Sequence, residues 1–302
     1  MSDFESVIEK FRAESESTVA LGNSFERLIK NFLLTDPTRN FDKVWLWSEF
    51  PYRETIDLGI DIVALDHHDC FWAIQCKFWQ PYARIDKSAV DSFLGASGKS
   101  FHVDNKPRRF DRRLWIATTD LWNANALGEI EHQTPPFSRL GLEDLKLAPV
   151  DWQKLEQGIV GREAIVKNTL RPHQAEAVST VVEKFKTADR GKLIMACGTG
   201  KTFTSLKIAE RLVGHRGVVL YLTPSISLLN QTLIEWTAQS DIPVNAICVC
   251  SDETAAKADD IPRDEPILPS TTEPNEINRR IRADQFNVIF STYQSLDAVA
   301  AA

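Results

Sequence analysis

Two short segments of alternating character, joined by a polar turn, constrain the fold of the first part of the chain most. Residues 59–65 and 70–79 alternate between apolar and other side chains, around the loop His67-His68-Asp69. This pattern predicts an antiparallel β-hairpin with one dry face, because successive side chains of a strand point to opposite faces. The predicted dry face consists of Ile60, Ile62, Ala64, Trp72, Ile74, Cys76 and Phe78.

The opposite face of the predicted hairpin carries an acid, an amide and an amine: Asp61, Gln75 and Lys77. A three-residue loop places Asp61 across from Gln75, whereas a slip of one residue would turn the polar set into the core. We therefore predict that these three side chains form one small cluster. The structural alternative makes Asp61 a turn acid and Lys77 an edge lysine with its ammonium in water.

Composition predicts a globular protein with two domains. The chain has 302 residues, of which 43% are hydrophobic and 25% charged, values usual for folded domains. It has no apolar run long enough to span a membrane and no basic, apolar signal sequence at its start, so we expect a cytoplasmic protein without a membrane partner. The five cysteines form no CxxC pair, which favours free thiols over zinc ligands or disulfides.

The first domain is predicted to span residues 1–150. Seven of the eight tryptophans lie before residue 153, a shift in composition that supports a boundary there. The predicted element order is helix, three strands, helix, strand. These elements are a helix at 17–34, strands at 44–50, 59–65 and 70–79, a helix at 87–97 and a strand at 114–119.

A basic segment follows the hairpin. Residues 77–113 contain nine Lys or Arg and four Asp, an excess of five positive charges, with Trp79, Tyr82, Phe101 and Phe110 interleaved. Such a segment either follows a phosphate backbone or is an ordinary solvated surface, and composition does not choose between the two. The loop residues His67, His68 and Asp69 are interpreted as solvated turn residues rather than metal ligands.

The second domain, residues 151–302, alternates helices with strands, which predicts a parallel sheet. Residues 131–165 are interpreted as a connector with a short helix at 142–147, and the acidic stretch 251–276 as an exposed insertion. The predicted elements are helices at 174–185, 201–213 and 227–237 and strands at 192–196, 218–223, 246–250 and 288–292.

A glycine-rich turn in this domain, Ala196-Cys-Gly-Thr-Gly-Lys-Thr202, lies between a predicted strand and a predicted helix. This is the context of a phosphate-binding loop, in which backbone amides and the helix N-terminus hold phosphate oxygens. We predict that ATP contacts Gly198, Thr199, Gly200, Lys201 and Thr202. In this role Lys201 bridges the β- and γ-phosphates and Thr202 holds Mg²⁺. The pattern is a variant, because Met195 stands where a glycine is usual.

Together with its flanking motifs, this loop resembles superfamily 2 helicases, over roughly residues 165–297. Leu170-Arg-Pro-His-Gln174 is similar to the family's adenine-reading motif, which implies that Gln174 contacts adenine. The segment 222–229 resembles a motif that holds DNA through Pro224 and Ser225, and 291–295 resembles a second one, with Thr292 as the contact. The resemblance implies an incomplete RecA-like parallel α/β domain, truncated before the Walker B motif. We therefore expect this chain to bind ATP weakly without hydrolysing it.

The hairpin and its flanking elements resemble the Mrr-like branch of the PD-(D/E)xK nucleases, over roughly residues 15–125. The motifs on which this resemblance rests are Gly59-Ile-Asp61 and Gln75-Cys-Lys77. The resemblance implies a restriction-endonuclease-like αβββαβ fold in which Glu26 and Asp57 are additional active-site acids. Phosphodiester hydrolysis uses a hard cation, so Asp61 and the Gln75 carbonyl oxygen are predicted Mg²⁺ ligands and Lys77 is predicted to act on the attacking water.

A nuclease of this kind ahead of a superfamily 2 motor resembles the N-terminal part of a Type ISP restriction–modification enzyme. The resemblance implies Mg²⁺-dependent cleavage of double-stranded DNA coupled to ATP-driven translocation, with methyltransferase and target-recognition domains downstream. Two alternatives stay open: a helicase–nuclease of DNA repair or modification-dependent restriction, and a catalytically inactive DNA-binding module that docks the motor. The sequence leaves the recognition sequence, the cut position and the oligomeric state undetermined.

Overall fold

The chain folds as two compact units, Met1–Ile165 and Val166–Ala302. The computed structural model describes residues 3–15, 17–39, 41–54, 59–131, 133–251 and 268–302. The predicted active-site acid Asp57 and most of the predicted acidic insertion lie outside these residues.

The first unit is built on a mixed five-stranded sheet with the order β1-β2-β3-β6-β7. The strands β1, β2 and β3 pair antiparallel, whereas β3, β6 and β7 run parallel, and β4 with β5 forms a separate hairpin. The strands are β1 (Phe41–Leu46), β2 (Ile62–Asp66), β3 (Phe71–Lys77), β4 (Phe101–Val103), β5 (Lys106–Arg108), β6 (Arg112–Ala117) and β7 (Phe137–Leu140).

Helices cover both faces of this sheet. Buried residues of α1, α2, α5 and α6 pack on the face that carries Ile62 and Ile74, and those of α3 and α4 pack on the face that carries Val63 and Ala73. The helices are α1 (Asp3–Glu14), α2 (Thr18–Thr35), α3 (Lys87–Ser97), α4 (Ala124–Ile130), α5 (Leu142–Leu147) and α6 (Trp152–Glu156).

The helix α2 begins and ends where its sequence predicts. The Ser17 hydroxyl accepts a hydrogen bond from the Ala20 amide at 3.1 Å, which satisfies one of the unpaired amides of the first turn. Phe25, Leu28 and Phe32 recur at helical spacing and are buried against the sheet. The Asp36-Pro37 pair ends the helix, because proline restricts the residue before it.

The predicted αβββαβ order is confirmed by α2, β1, β2, β3, α3 and β6. Two predictions in this region are wrong. The strand predicted at 44–50 is β1 followed by a 3₁₀ turn, Trp47–Glu49, because the Glu49 carboxylate accepts from the Leu46 amide at 3.0 Å and closes the turn. Residues 131–165, predicted as a connector, contain the strand β7, which pairs parallel to β6. A further helix, α1, precedes the predicted elements.

The residues that lie on each face of the hairpin also differ in part from those predicted. Ile62, Ala64, Trp72, Ile74 and Cys76 share one buried layer, as predicted. Ile60 packs in the opposite layer, because β2 starts only at Ile62. That opposite layer is apolar along most of the hairpin, so its polar character is confined to the ends that carry Asp61, Gln75 and Lys77.

The boundary between the units lies at 165/166 rather than at the predicted 150/151. Trp152 is 1% exposed, stacks on Phe32 with ring centroids 5.1 Å apart and donates its indole N–H to the Leu145 carbonyl at 3.1 Å. Leu155 and Ala164 complete the same buried layer. Residues 151–165 therefore belong to the core of the first unit.

Replacing Trp152 with phenylalanine is expected to lower the unfolding free energy of the first unit by about 1–3 kcal/mol. The substitution keeps an aromatic ring but leaves the buried Leu145 carbonyl without its donor. Urea unfolding followed by circular dichroism measures the change. Val19→Ala, at a side chain that is 70% exposed, is the control and should change stability little. An unchanged midpoint for Trp152→Phe would show that residue 152 is not part of this core.

The second unit contains a parallel three-stranded sheet with the order β8-β10-β9, which confirms the predicted parallel α/β class. The helices α8 and α9 cover one face, with Phe203, Leu206, Leu229 and Trp236 buried against Phe290. The elements are α7 (Pro172–Lys184), α8 (Lys201–Val213), β8 (Gly217–Thr223), α9 (Ile226–Gln239), β9 (Val244–Val249), α10 (Pro274–Arg280), β10 (Phe286–Thr292) and α11 (Leu296–Ala300).

The strand predicted at 192–196 does not form. Leu193 and Ile194 are 42% and 89% exposed, and none of the sheets in the described part of the chain includes this segment. A strand requires a partner for its backbone amides and carbonyls. The strand β8 is an edge of its sheet and does not pair with residues 192–196, so the segment stays irregular up to the glycine-rich turn.

The helices of the described residues are all too short or too polar to cross a membrane.

Candidate functional site

The pairing register of β2 and β3 places the predicted acid and amide side by side. Ile62 pairs with Ile74 and Leu65 with Phe71, so the same register extended by one residue sets Asp61 opposite Gln75. The loop between the strands is closed by a hydrogen bond from the Asp69 amide to the Asp66 carbonyl, and Asp69 has a φ of 62°. The predicted register is confirmed. His67, His68 and Asp69 lie in the turn, as predicted.

The Asp61 carboxylate is held at the end of the hairpin by two donors. Its Oδ2 atom accepts a hydrogen bond from the Cys76 amide at 2.7 Å and another from the Gln75 Nε2. The backbone of Asp61 is fixed as well, since its amide donates to the Ile74 carbonyl and its carbonyl accepts from the Trp47 amide. The carboxylate is thus oriented before any ligand binds.

Gln75 is 3% exposed, and its side chain contacts Asp61 and lies near Gly59. Gly59 has a φ of 76°, in the left-handed region that favours glycine, and a Cβ built there would lie 3.9 Å from the Gln75 Oε1. The amide turns its N–H₂ toward Asp61 in this arrangement. A role as metal ligand requires the carbonyl oxygen instead, which rotation about the last side-chain bond supplies.

Lys77 is the last residue of β3 and lies on the same face as Gln75. Its Nζ is 6.0 Å from the centre of the Trp115 ring, and Trp115 pairs with Gln75 across the parallel strands β3 and β6. A cation over an indole face is attracted by the ring electrons. Trp115 was not identified from sequence, because the pairing of β3 with β6 joins residues that are distant in the chain.

Glu26 reaches the same region from α2. Phe25 contacts Phe78 with ring centroids 5.3 Å apart, which sets this turn of the helix beside the end of β3. Burial raises the pKa of the Cys76 thiol well above its ordinary value, the carboxylates of Asp61 and Glu26 raise it further, and Lys77 lowers it. Asp61, Glu26 and Lys77 all act on this one thiol, so the three charged side chains lie near the end of β3.

The predicted free thiols are present, since all five cysteines are free, with Cys197 exposed in the glycine-rich turn. Burial, together with the neighbouring carboxylates of Asp66 and Asp111, raises the pKa of the Cys70 thiol to about 11. The thiolate is the reactive form.

We expect iodoacetamide to label Cys70 about a hundredfold more slowly at pH 8 than an unperturbed thiol, because the pKa lies about two units above 9.0. The labelling rate should rise about tenfold per pH unit until the pH approaches 11. Mass spectrometry of tryptic peptides measures this rate, with exposed Cys197 as the internal reference. A Cys70 rate equal to that of free cysteine at pH 8 would contradict the shift.

The basic segment has both structural and exposed members. Arg113 is buried, where its guanidinium donates to Ser97, Gln133 and Pro135, and Arg108 pairs with Asp69. Phe101 and Phe110 are buried as well. The basic side chains that are exposed and make no ion pair among the described residues are Arg84, Lys99, Lys106 and Arg109. Only part of the segment is therefore available to a polyanion.

The glycine-rich turn of the second unit leads directly into α8. Gly198 and Gly200 have φ values of 75° and 78°, which only glycine adopts readily. Lys201 begins the helix and its Nζ donates to the Ala196 carbonyl at 3.1 Å, so the lysine folds back over the turn. The carbonyl of Thr202 accepts from the Trp236 indole at 3.1 Å, which ties the start of α8 to α9.

Gln174 packs against this turn rather than lying apart from it. It is 4% exposed, and its Nε2 donates to the Thr199 carbonyl at 2.9 Å while its Oε1 accepts from the Arg171 amide at 2.8 Å. A Cβ at Gly200 would overlap the Gln174 amide. The structure thus brings the predicted adenine contact and the predicted phosphate loop together.

The three predicted DNA contacts lie at one edge of the parallel sheet. Thr292 pairs with Thr223 at the carboxyl ends of β10 and β8, and Pro224 and Ser225 follow β8 directly. Ser225 caps α9 through the Leu228 amide. The Thr292 side chain, however, is 3% exposed and donates to the Ser295 hydroxyl, so it is not presented to DNA here. The buried environment of β10 accounts for this difference from the prediction.

Comparison with known families assigns each unit. Residues 35–161 match the family described as restriction endonuclease, and residues 167–300 match the family described as Type III restriction enzyme, res subunit. Domains of these two kinds depend in general on a metal ion and on a nucleotide.

Proteins similar to this chain, one of known structure and others known from sequence, agree with the two family matches. The ATP-dependent Type ISP restriction-modification enzyme LlaBIII, solved bound to DNA, is 32% identical with a TM-score of 0.76, over 97% of this chain and 19% of that one. Probable helicases from isolates of African swine fever virus are 33–34% identical over 125 residues, which is 41% of this chain and 14% of theirs. The chain thus spans only a small part of each relative's length. It consists of a restriction endonuclease domain fused to a helicase-like domain of the res-subunit family, and it matches a Type ISP restriction-modification enzyme.

Proposed function

We propose that the first unit hydrolyses phosphodiester bonds of double-stranded DNA with Mg²⁺ at an active-site cluster formed by Asp61, Gln75 and Lys77. The observation that supports this best is the register that sets Asp61 opposite Gln75, with Lys77 on the same face of β3. Glu26 is a fourth member and Asp57, which lies outside the described residues, a candidate fifth.

The donors at this cluster fit a hard divalent cation. Asp61 offers carboxylate oxygens and Gln75 an amide oxygen, and Mg²⁺ takes oxygen ligands and keeps several waters. Within the described ranges, no group of three His, Cys, Asp or Glu side chains is placed to hold a metal. Among the described residues the proposed site therefore depends on one carboxylate and one amide, and Glu26 on α2 is proposed to add negative charge. When bound, the cation polarises the phosphoryl oxygen and lowers the pKa of a bound water.

The chain's own residues account for orientation and charge. The Cys76 amide fixes the Asp61 carboxylate, and the Trp115 ring lies beneath the Lys77 ammonium. Lys77 orients the attacking water and stabilises the negative charge that develops on the phosphate. Because Lys77 lies at the carboxyl end of β3, the scissile phosphate is approached from that edge of the sheet.

We further propose that the second unit binds ATP. Gln174 holds the adenine, the backbone of Gly198, Thr199 and Gly200 holds the phosphates, Lys201 neutralises their charge, and Thr202 holds Mg²⁺. In the full-length protein this unit drives translocation on double-stranded DNA, with methyltransferase and target-recognition domains downstream. LlaBIII, which is ATP-dependent and was solved with DNA, supports this proposal by similarity.

A catalytically inactive DNA-docking unit is the second candidate. The observation that favours it is the scarcity of acids among the described residues of the cluster, since glutamine stands where a second carboxylate would strengthen metal binding.

Cleavage of plasmid DNA by the full-length protein distinguishes these candidates. With ATP and Mg²⁺, the wild-type protein is expected to convert supercoiled plasmid to linear product, and EDTA should stop the reaction. Lys77→Ala should leave the plasmid intact while DNA binding in a gel-shift assay persists. Intact plasmid with the wild-type protein, in both Mg²⁺ and Mn²⁺, would instead support the docking unit.

A further inference from the structure

The loop that leaves β3 after the active-site cluster presents one aromatic side chain to solvent. Residues 78–85 connect Lys77 to the bridge at Ile85 and then to α3. Tyr82 in this loop is 77% exposed, and none of the hydrogen bonds or ring contacts found among the described residues involves its side chain. A tyrosine ring carries much apolar surface, which folding usually covers.

The exposed tip is nevertheless held in one conformation. The Ala83 amide donates to the Gln80 carbonyl at 2.9 Å, which closes a β-turn with Pro81 and Tyr82 at its corners. Proline at the first corner fixes its own φ. The Thr119 hydroxyl contacts the carbonyls of Pro81 and Ala83 at 3.0 and 2.7 Å.

The base of the loop is anchored as firmly. The Thr118 hydroxyl donates to the Trp79 carbonyl at 2.6 Å and accepts from the Trp79 amide at 2.8 Å, and the Ile85 amide donates to the Leu121 carbonyl. Thr118 and Thr119 are fully buried and follow β6, the parallel neighbour of β3. Both ends of the loop are therefore fixed to the segment that follows β6, the strand that pairs with β3.

The surroundings of Tyr82 suit a polyanion. Arg84 is exposed and makes no ion pair with any side chain that the structure describes, and Lys77 lies at the start of the same loop. Of the other aromatic residues interleaved in the basic segment, Phe101 and Phe110 are 5% exposed, and Trp79 is partly buried against the core. An exposed ring and an exposed arginine on one rigid loop can contact duplex DNA together, the ring by packing on a sugar and the arginine by pairing with a phosphate.

We propose that Tyr82 packs against a nucleotide of the DNA next to the cleaved phosphate, with Arg84 on the adjoining backbone. This inference rests on the proposed nuclease function and adds a substrate-positioning residue outside the cluster itself. The ring binds the substrate before and during the reaction alike, so it acts on the affinity for DNA and little on the chemical step.

Hydroxyl-radical footprinting of the protein tests the contact without requiring cleavage. The chain is oxidised with and without a 30-base-pair duplex, and mass spectrometry gives the oxidation rate of each peptide. DNA is expected to lower the rate at Tyr82 at least threefold and to leave Leu147, a 75% exposed side chain of the same unit, unchanged. Equal oxidation of Tyr82 with and without bound DNA would overturn the proposal.

Cleavage kinetics of the full-length protein provide the second readout. Tyr82→Ala is expected to raise the KM for DNA about 5- to 10-fold with kcat changed less than threefold, because truncation removes the ring that packs on the duplex. Tyr82→Phe keeps the ring and should match the wild-type protein. If the wild-type protein cleaves DNA and Tyr82→Ala leaves the KM unchanged, the contact between Tyr82 and DNA is refuted, whereas the proposed nuclease function is not. Absence of cleavage by the wild-type protein refutes the nuclease function, and footprinting then decides the contact.

Discussion

Asp61→Ala is expected to lower the rate of metal-dependent DNA cleavage by about a thousandfold or more. The substitution removes the carboxylate that the Cys76 amide and Gln75 hold at the end of the hairpin. A metal ion contributes several kcal/mol of charge stabilisation to the transition state, and each 1.4 kcal/mol corresponds to a factor of about ten. Initial rates of plasmid cleavage at saturating Mg²⁺ measure the loss.

Two further variants separate lost chemistry from lost folding. Asp61→Asn keeps an oxygen that accepts from the Cys76 amide but removes the charge, so it should fold normally and still fail to cleave. Gln75→Glu adds a carboxylate across from Asp61 and should bind Mn²⁺ more tightly than the wild-type protein in calorimetric titration. Wild-type cleavage rates in Asp61→Asn would contradict the assignment of Asp61 as a metal ligand.

Lys201→Ala is expected to weaken ATP binding by about 10- to 100-fold. The Lys201 ammonium lies over the glycine-rich turn, where its charge-assisted hydrogen bonds to phosphate would contribute about 1.5–3 kcal/mol. Fluorescence titration of the 302-residue chain with a labelled ATP analogue measures the affinity. In the full-length protein the same substitution should abolish ATP-driven translocation.

The neighbouring Lys192→Ala provides the matched control, because Lys192 is exposed in the segment before the turn. It should bind ATP as the wild-type chain does. Equal affinities for Lys201→Ala and the wild-type chain would show that the turn does not hold phosphates. A comparable loss in both variants would point to a general effect of positive charge.

The juxtaposition of Asp61 and Gln75 could be predicted from sequence because its geometry is local. Asp61 and Gln75 belong to one hairpin, and a three-residue loop with alternating strands determines which side chains face each other. The bounds of α3 and α8 were also predicted, since caps and breakers flank them: Asp86 precedes the first, and Gly200 and Gly214 flank the second.

Sequence failed where the structure depends on pairing between distant segments. The strand β7 is four residues long and gains its place by pairing with β6, and Trp115 meets Lys77 only through the pairing of β3 with β6. Neither register can be read from hydrophobic periodicity. For the same reason the hairpin's second face was expected to be polar, although α3 covers Val63 and Ala73.

The segment before the phosphate loop shows the limit of pattern reasoning most clearly. Residues 192–196 have the apolar character of a strand, yet Ile194 is 89% exposed, because strand propensity does not supply a hydrogen-bonding neighbour. Thr292 is a similar case. Its motif predicts a DNA contact, but the strand that carries it is buried along its whole length.

The central claim is that Asp61 and Gln75 hold the catalytic metal, and crystals of the protein soaked in Mn²⁺ test it most directly. An anomalous difference map is predicted to show a peak about 2.0–2.3 Å from an Asp61 carboxylate oxygen and from the Gln75 Oε1, after the amide has rotated from its present contact. The peak should be absent from crystals of Asp61→Asn. A map that shows Mn²⁺ elsewhere in the first unit and none at Asp61 would contradict the account.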